Sequence, residues 1–455
     1  MTKIALIGAG STQFARRLIA DLLSWPSLRD CHLALVDINP EPLELMHALA
    51  QATSRKAGAD ATVTAHTDRE PALDGADYVV TTIAVGGFRG RDRPEVTIPE
   101  RYGIHHSVAD TLGVGGVFRF LRTAPTMLEI GRDMRRLCPD SLWLNYVNPM
   151  NMLMWTIGAV LPEQRAVGLC HSVQGTADKL AGFVGAEKDR VAYWVAGINH
   201  QAWFLRLRRG TYRGEDLYPR LWRALDDPAV YDRDRVRFEV LRRFGAFVTE
   251  SSWHMSEYVP WFRRTAEAIE RYAPMPTRPM GPARYAQVWE SIGRQVAGTE
   301  EIDLTRSREY CSFIINAVET NTPFRFNGNV PNTGLITNLP PGCNVEVPIY
   351  ADSAGLHPAY VGDLPAPLAA INRTNVNVQE LAVQGFLKRD RDAVLQACAV
   401  DPLASTSVRW EDLKPMVDEL FDASARWVDG YAWTLPSSRE ETGGAERSGG
   451  RNATR

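Results

Sequence analysis

Lys3-Ile-Ala-Leu-Ile7-Gly8-Ala-Gly10-Ser11-Thr12 opens this chain almost at its first residue. The apolar run 3–7 reads as a short buried strand, and the glycines that follow let the backbone turn sharply. Residues 12–24 then place Phe14, Leu18, Ile19 and Leu22 on one face of a helix. Strand, tight turn and helix in that order bring unpaired N–H donors of a helix N-terminus to the end of a strand, where a pyrophosphate binds. Gly8, Gly10 and Ser11 are the candidate contacts. The third glycine of the usual pattern is replaced by Gln13. Asp37 closes the next strand, and a carboxylate there accepts hydrogen bonds from both ribose hydroxyls of a dinucleotide. It repels a 2′-phosphate, so NAD is expected and not NADP. The plainer alternative is a glycine turn in an α/β fold that holds no nucleotide.

Further strands are expected at 32–37, 61–65, 78–83, 142–147, 166–169 and 191–198, with helices at 40–56, 127–137 and 150–160. Such alternation indicates a doubly wound, mainly parallel α/β sheet. Past residue 200 the chain is richer in Trp, Arg and irregular Pro/Gly stretches, which points to an α+β substrate domain. The expected division is 1–195 for the Rossmann-like unit and 196–436 for the substrate, metal and oligomerisation unit. The Gly/Ser/Arg/Glu-rich tail 437–455 is expected to be disordered.

The 455 residues carry a net charge of −3, with 45% hydrophobic and 23% charged residues. Nothing here favours nucleic acid or an anionic membrane as partner. Six cysteines are scattered singly, which fits reduced thiols better than a disulfide framework. No apolar run approaches the roughly 18–20 residues of a membrane span, and no signal peptide is expected, since the strand at 4–7 leads straight into glycines without a basic n-region or cleavage site. A cytoplasmic protein is the expectation.

Several residues at strand ends carry chemistry. Gly86-Gly87 follows the strand at 78–83, where a loop would cover the nicotinamide half of a cofactor. Arg89, Arg91 and Arg93 come next, either as substrate contacts or as a solvated charged loop. Asn148 precedes Pro149 at another strand end, suited to hold a ligand hydroxyl or to cap the next helix. Cys170-His171 and His200 end two further strands. A thiolate and an imidazole are plausible ligands for Mn²⁺, Fe²⁺, Co²⁺, Ni²⁺ or Zn²⁺, and two ligands leave coordination positions open for substrate. Buried structural roles for Cys170 and His200 are the competing reading. Glu250-Ser-Ser-Trp-His254-Met-Ser-Glu257-Tyr258-Val-Pro-Trp261 mixes acids, a histidine, a phenol and two indoles. That mixture suits sugar recognition and a catalytic base, or else a half-buried aromatic loop.

From Lys3 to about Trp433 the chain resembles glycoside hydrolase family 4, whose fold is related to lactate and malate dehydrogenases. The resemblance rests on Gly8-Ala-Gly-Ser, Asn145-Tyr-Val-Asn-Pro-Met, Cys170-His-Ser-Val-Gln-Gly, Gly197-Ile-Asn-His, Phe247-Val-Thr-Glu-Ser-Ser, Glu257-Tyr-Val-Pro-Trp-Phe and Asn338-Leu-Pro-Pro-Gly-Cys343. The Cys-His-Ser-Val stretch is similar to the α-galactosidase (melibiase) branch. The resemblance implies an NAD- and Mn²⁺-dependent glycosidase acting on α-galactosides without consuming NAD⁺. It implies oxidation at C3, removal of the C2 proton, elimination of the C1 substituent, addition of water and re-reduction, unlike the two-carboxylate route. By the same resemblance Cys170 and His200 ligate the metal, and Asn148 holds a sugar hydroxyl near it. His171 protonates the leaving oxygen, and Tyr258 or Glu257 is the base. A homodimer or homotetramer is implied as well. α-Glucosidase and α-galacturonidase are alternatives within the family. Outside it stand an NAD-dependent hydroxy-acid dehydrogenase and a non-enzymatic NAD sensor. The first lacks a thiolate metal ligand, and the second would have no reason to keep every site residue.

Overall fold

The computed structural model describes residues 1–12, 14–87, 93–273 and 282–435. Twelve strands among these residues form a single sheet. They are β1 Lys3–Ile7, β2 His32–Val36, β3 Thr62–His66, β4 Tyr78–Thr81, β5 Leu142–Asn145, β6 Ala166–Gly168, β7 Val191–Ile198, β8 Gln201–Arg209, β9 Phe247–Val248, β10 Phe324–Pro331, β11 Asn344–Asp352 and β12 Gly355–Pro358. The order is β3-β2-β1-β4-β5-β6-β10-β11-β7-β8-β9, with β12 beside β11. The first six strands are parallel, as the opening stretch implies. Ile4, Ala5 and Leu6 of β1 are fully buried, because helices cover both faces of a parallel sheet and its strands read as continuous apolar runs.

The α/β sheet does not stop at its parallel half. β10 joins β6 antiparallel at Asn329 opposite Gly168, and β11 joins β7 at Glu346 opposite Gly197. The 195/196 boundary read from the sequence falls inside β7. Two large apolar clusters flank the sheet, one containing Leu6 and Leu35 and the other containing Ala5 and Ala34. Neighbouring residues of β1 and β2 thus point into opposite cores, as the strand period of two requires.

One helix is far longer than its sequence pattern. It spans Gly113–Leu137, where periodicity indicates only 127–137. Gly113, Gly115, Gly116 and Pro125 hide its first half, since such residues weaken helices. Their reason is close packing. A Cβ on Gly115 would lie 2.7 Å from Ala109 Cβ, and one on Gly116 would lie 2.7 Å from the Thr111 carbonyl carbon. The loop before the helix therefore lies directly against it. No described helix is long and apolar enough to cross a membrane.

Candidate active site

A cavity of about 1010 Å³ follows the carboxyl ends of the parallel strands, where β1 has β2 on one side and β4 on the other. Ligands settle at such a switch point. Asp37 after β2 and Cys170 after β6 both line it. They are four strand spacings apart, about 19 Å at roughly 4.8 Å each.

At the β1 end the backbone itself forms the wall. Gly8 has φ 94°, and a Cβ there would sit 2.8 Å from the backbone of Thr82 and Ile83. Gly10 N–H donates to Asp37 Oδ2 at 2.8 Å, and a Cβ on Gly10 would come within 2.7 Å of that oxygen. The other Asp37 oxygen accepts from Asn39 N–H at 3.0 Å. Asp37 is thereby locked at the cavity edge. Ser11 lines the cavity, and its Oγ accepts from Phe14 N–H at 3.4 Å as the helix Ala15–Leu23 begins. Gly86, at φ 82°, also lines the cavity and is backed by Arg122. Gln13, Arg89, Arg91 and the tail lie outside the described residues. Arg93 is buried, donates to Val108 O at 2.8 Å and pairs with Glu95 at 3.7 Å.

At the β6 end side chains form the wall. Cys170 Sγ lies 3.2 Å from His200 Nε2, and Glu250 Oε2 lies 3.7 Å from the same nitrogen. One donor atom from each of the three falls within 4.8 Å of the others. Asp110, His200 and His254 form a second such group. His254 Nε2 is 3.6 Å from Asp110 Oδ1, and its Nδ1 is 3.4 Å from Glu250 Oε1 and 2.8 Å from Ser251 Oγ. Burial pushes the Cys170 thiol up, and Glu250 and Glu346 push it further. A cation among these groups favours the thiolate, and sulfur, nitrogen and oxygen donors together suit a borderline divalent ion. Burial raises Glu250 too, but the imidazoles of His254, His200 and His171 outweigh it and hold its carboxyl below the usual range. Glu346, fully buried on β11 with neither oxygen hydrogen-bonded, is pushed by burial up to about 8.

Five non-glycine residues with positive φ occur among the described residues. Asn321 and Arg389 close helices. The other three, Ala109 (56°), His200 (63°) and Glu250 (71°), surround this cluster. Strained backbone of this kind gathers where side-chain placement matters.

The two residues read as alternative bases do not line the cavity. Glu257 is fully buried and accepts from the backbone N–H groups of Ser107 at 2.8 Å, Val108 at 3.0 Å and Ala109 at 3.1 Å. Burial raises its pKa, but the His106 ring 3.5 Å away and the backbone donors reverse the shift. Its geometry is that of a clamp on the loop that presents Asp110. Tyr258 is buried behind His200, its hydroxyl 3.3 Å from Nδ1. His171 does line the cavity, with Nδ1 3.6 Å from Glu309 Oε1. Asn148 is also on the wall, its Oδ1 buried without a partner. Sequence reading missed Asp110, Arg119, Glu309 and Glu346, and gave Glu250 and His254 no individual role within the stretch 250–261. The glycines at 113–116 were the one local signal, marking a loop pressed against a helix.

A glycine-lined crevice at the carboxyl ends of the parallel strands thus shares one cavity with a thiol, imidazole and carboxylate cluster. Residues 3–186 match the model of the family 4 glycosyl hydrolases, and 195–404 match that family's C-terminal domain. The chain belongs to family 4 of the glycosyl hydrolases and is a glycosidase. It is 40% identical to an alpha-galactosidase of Bacillus subtilis (strain 168), over 95% of this chain and 100% of that protein. It is 34% identical to an alpha-galactosidase of Rhizobium meliloti (strain 1021), over 96% of this chain and 91% of that one. The 6-phospho-beta glucosidase of Thermotoga maritima, solved with manganese, NAD⁺ and glucose-6-phosphate, superposes with a TM-score of 0.76 at 21% identity. That match covers 94% of this chain and 99% of the other.

Proposed function

We propose that this glycosidase is an α-galactosidase that works with bound NAD⁺ and a divalent metal such as Mn²⁺. The observation that carries the reading is one cavity joining the Gly8–Gly10–Asp37 cradle to the Cys170–His200–Glu250 donors. The two relatives named alpha-galactosidase support the glycone, and the Thermotoga enzyme's ligands support the cofactors. When bound, NAD⁺ supplies hydride acceptance and return, and the metal supplies Lewis acidity toward sugar hydroxyls.

The chain's own residues do the rest. Gly8 and Gly10 let the backbone approach a pyrophosphate, Ser11 lies in the turn ahead of the helix Ala15–Leu23 that faces it, and Asp37 receives ribose hydroxyls. Gly86 closes over the nicotinamide end. Cys170 and His200, with Glu250, would hold the metal. Asn148 Oδ1 accepts a hydrogen bond from a sugar hydroxyl. His171 donates a proton to the leaving oxygen. His254, which lines the cavity where Glu257 and Tyr258 do not, takes up the C2 proton, held in place by Asp110 and Ser251. Tyr258 then acts through His200 by fixing the ring's orientation, and Glu257 by holding the loop that carries Asp110.

Enzyme stripped of nucleotide and metal is expected to lose turnover of 4-nitrophenyl α-D-galactoside. NAD⁺ and Mn²⁺ together should restore it with no NADH accumulating. Product made in D₂O should carry deuterium at C2, and His254→Ala should lose both exchange and turnover. Full activity in rigorously nucleotide-free protein would overturn the cofactor reading. A preference for α-glucosides or α-galacturonides would overturn the assigned glycone.

A further inference from the structure

Arg119 stands in the second turn of the helix Gly113–Leu137, on the wall of the same cavity. Its side chain is only 17% exposed. A guanidinium carries five donors, and buried ones are normally matched by several acceptors. Among the described residues Arg119 has no hydrogen-bond acceptor, and its nearest acid, Asp110, is 3.8 Å away. The two other arginines that line the small adjoining gap differ. Arg122 donates to Val85 O at 3.0 Å and to Glu95 at 2.7 Å. Arg93 donates to Val108 O. Across a narrow gap lined by both Arg119 and Asn148 lies the buried, unpartnered Oδ1 of Asn148. Two unsatisfied polar groups of opposite hydrogen-bonding character thus face one space. Charge crowding sharpens the point: burial lowers the Arg119 pKa, Asp110 opposes that, and Arg93 and Arg122 add to it.

Hydroxyls of a sugar both donate and accept, so they match this pairing. Asn148 takes the hydrogen of one hydroxyl, and Arg119 donates to the oxygen of another. Asp110, beside Arg119, also belongs to the His200–His254 group, which places Arg119 next to the metal end of the cavity. We propose that Arg119 is a glycone-binding residue that donates hydrogen bonds to the 4- or 6-oxygen of the sugar while C2 and C3 face the cluster. The inference rests on the galactoside reading given above.

The test compares holoenzyme loaded with NAD⁺ and Mn²⁺ as wild type, Arg119→Met and Arg119→Lys, after thermal melts show that the variants fold. The kinetic constants kcat and KM are measured for 4-nitrophenyl α-D-galactoside and its 4-deoxy and 6-deoxy analogues, and NAD⁺ affinity by fluorescence titration. Removing the contacted oxygen is expected to cost wild type about 10–100-fold in kcat/KM, the usual loss for a hydrogen bond to a charged group. Arg119→Met should raise KM for the parent sugar about tenfold or more. It should also become indifferent to that same deletion, keep NAD⁺ affinity within about twofold, and recover in part as Arg119→Lys. Unchanged penalties for both deoxy sugars in Arg119→Met would overturn the proposal. So would a tenfold loss of NAD⁺ affinity with KM intact, which would hand the guanidinium to the cofactor. Wild type inert on the galactoside would instead overturn the substrate reading. The proposal is then judged on direct binding of the glycoside that wild type does take, and equal affinity in Arg119→Met overturns it.

Discussion

Around β1 and β4 the left-handed backbone positions are Gly8 (φ 94°), Gly86 (82°) and Gly87 (73°), whereas flanking β8 and β9 they are His200 (63°) and Glu250 (71°). An L-residue in that region costs about 1–2 kcal/mol that glycine does not incur. At the β1 end the backbone is the working surface. A Cβ on Gly8 would collide with β4's extension, and any side chain there would hold a ligand away. On the proposed function the side chain is the working group at the β6 end, and the strain is accepted to aim an imidazole and a carboxylate at Cys170. One cavity therefore holds two opposite solutions to the same conformational demand, and which one applies tells whether backbone or side chain meets the ligand.

The sharpest way to break this comparison is His200→Gly, which relieves the strained dihedral and deletes the donor. If the side chain is the point, activity should fall at least 10²–10³-fold, the usual scale for removing a transition-state charge stabiliser. Metal content by elemental analysis should fall with it, and Cys170→Ser should do the same. Full metal content in His200→Gly would mean that the residue was chosen for something other than its imidazole.

Next in size is Gly8→Ala. The new methyl meets backbone atoms of Thr82 and Ile83 at 2.8 Å, and the φ of 94° is unfavourable as well. Backbone neighbours give way less than side-chain tips, so a loss of about 3 kcal/mol is expected in urea unfolding. NAD⁺ binding should weaken at the same time. A loss under about 0.5 kcal/mol would show that the β1–β4 approach is looser than the glycine implies.

These contrasts explain what could be read from the chain alone. The parallel half was legible because its evidence is local: strand, glycines, helix and Asp37 follow in order. Cys170, His171 and His200 stood out because they end strands. Asp110, Arg119, Glu309 and Glu346 arrive from separate segments, and no spacing brings them together. The long helix was half hidden because its glycines serve the loop packed on it. His254 and Glu257 are one turn apart in the short helix Ser252–Glu257, about 4.5 Å along its axis. That distance separates the cavity wall from the clamp behind it, and a residue pattern does not reveal depth.

Smaller again is a pH effect from behind the β6 end. Burial pushes the Asp401 carboxyl up to about 6 from the ordinary 3.8, although Ala404 N–H and His106 oppose it. The native state then binds more protons than the unfolded chain between those values, so stability should fall as pH rises from about 4 to 6 and level off above. Asp401→Asn keeps the acceptor for Ala404 N–H, 2.8 Å from Oδ1, and should remove this slope. Above pH 6 the variant should be more stable, on the order of 2 kcal/mol. Glu257 works in the opposite sense: its pKa is lowered, so its contribution is lost only as pH falls below its ordinary 4.5. Comparing wild type with Asp401→Asn at pH 4.5 and 7 isolates Asp401. Parallel curves would show that it is not the source.

The smallest expected effect tests the comparison most directly. Ala109 shares the left-handed backbone of His200 and Glu250 at φ 56°, but its methyl does no chemistry. What the structure uses is its N–H, which donates to Glu257 Oε1 at 3.1 Å. Ala109→Gly keeps that bond and relieves about 1–2 kcal/mol of dihedral strain. Greater freedom of the unfolded chain takes back about 0.4–1 kcal/mol, and the lost burial of one methyl takes back about 0.8 kcal/mol. The sum is close to zero, so unfolding free energy should move by less than about 0.5 kcal/mol while kcat and metal content stay as in wild type. Glycine at 109 is thus expected to be silent where glycine at 200 abolishes turnover, although the two backbones differ by only 7° in φ (63° against 56°). A large activity loss in Ala109→Gly would mean that the strain itself, and not the side chain it aims, holds Asp110 in place.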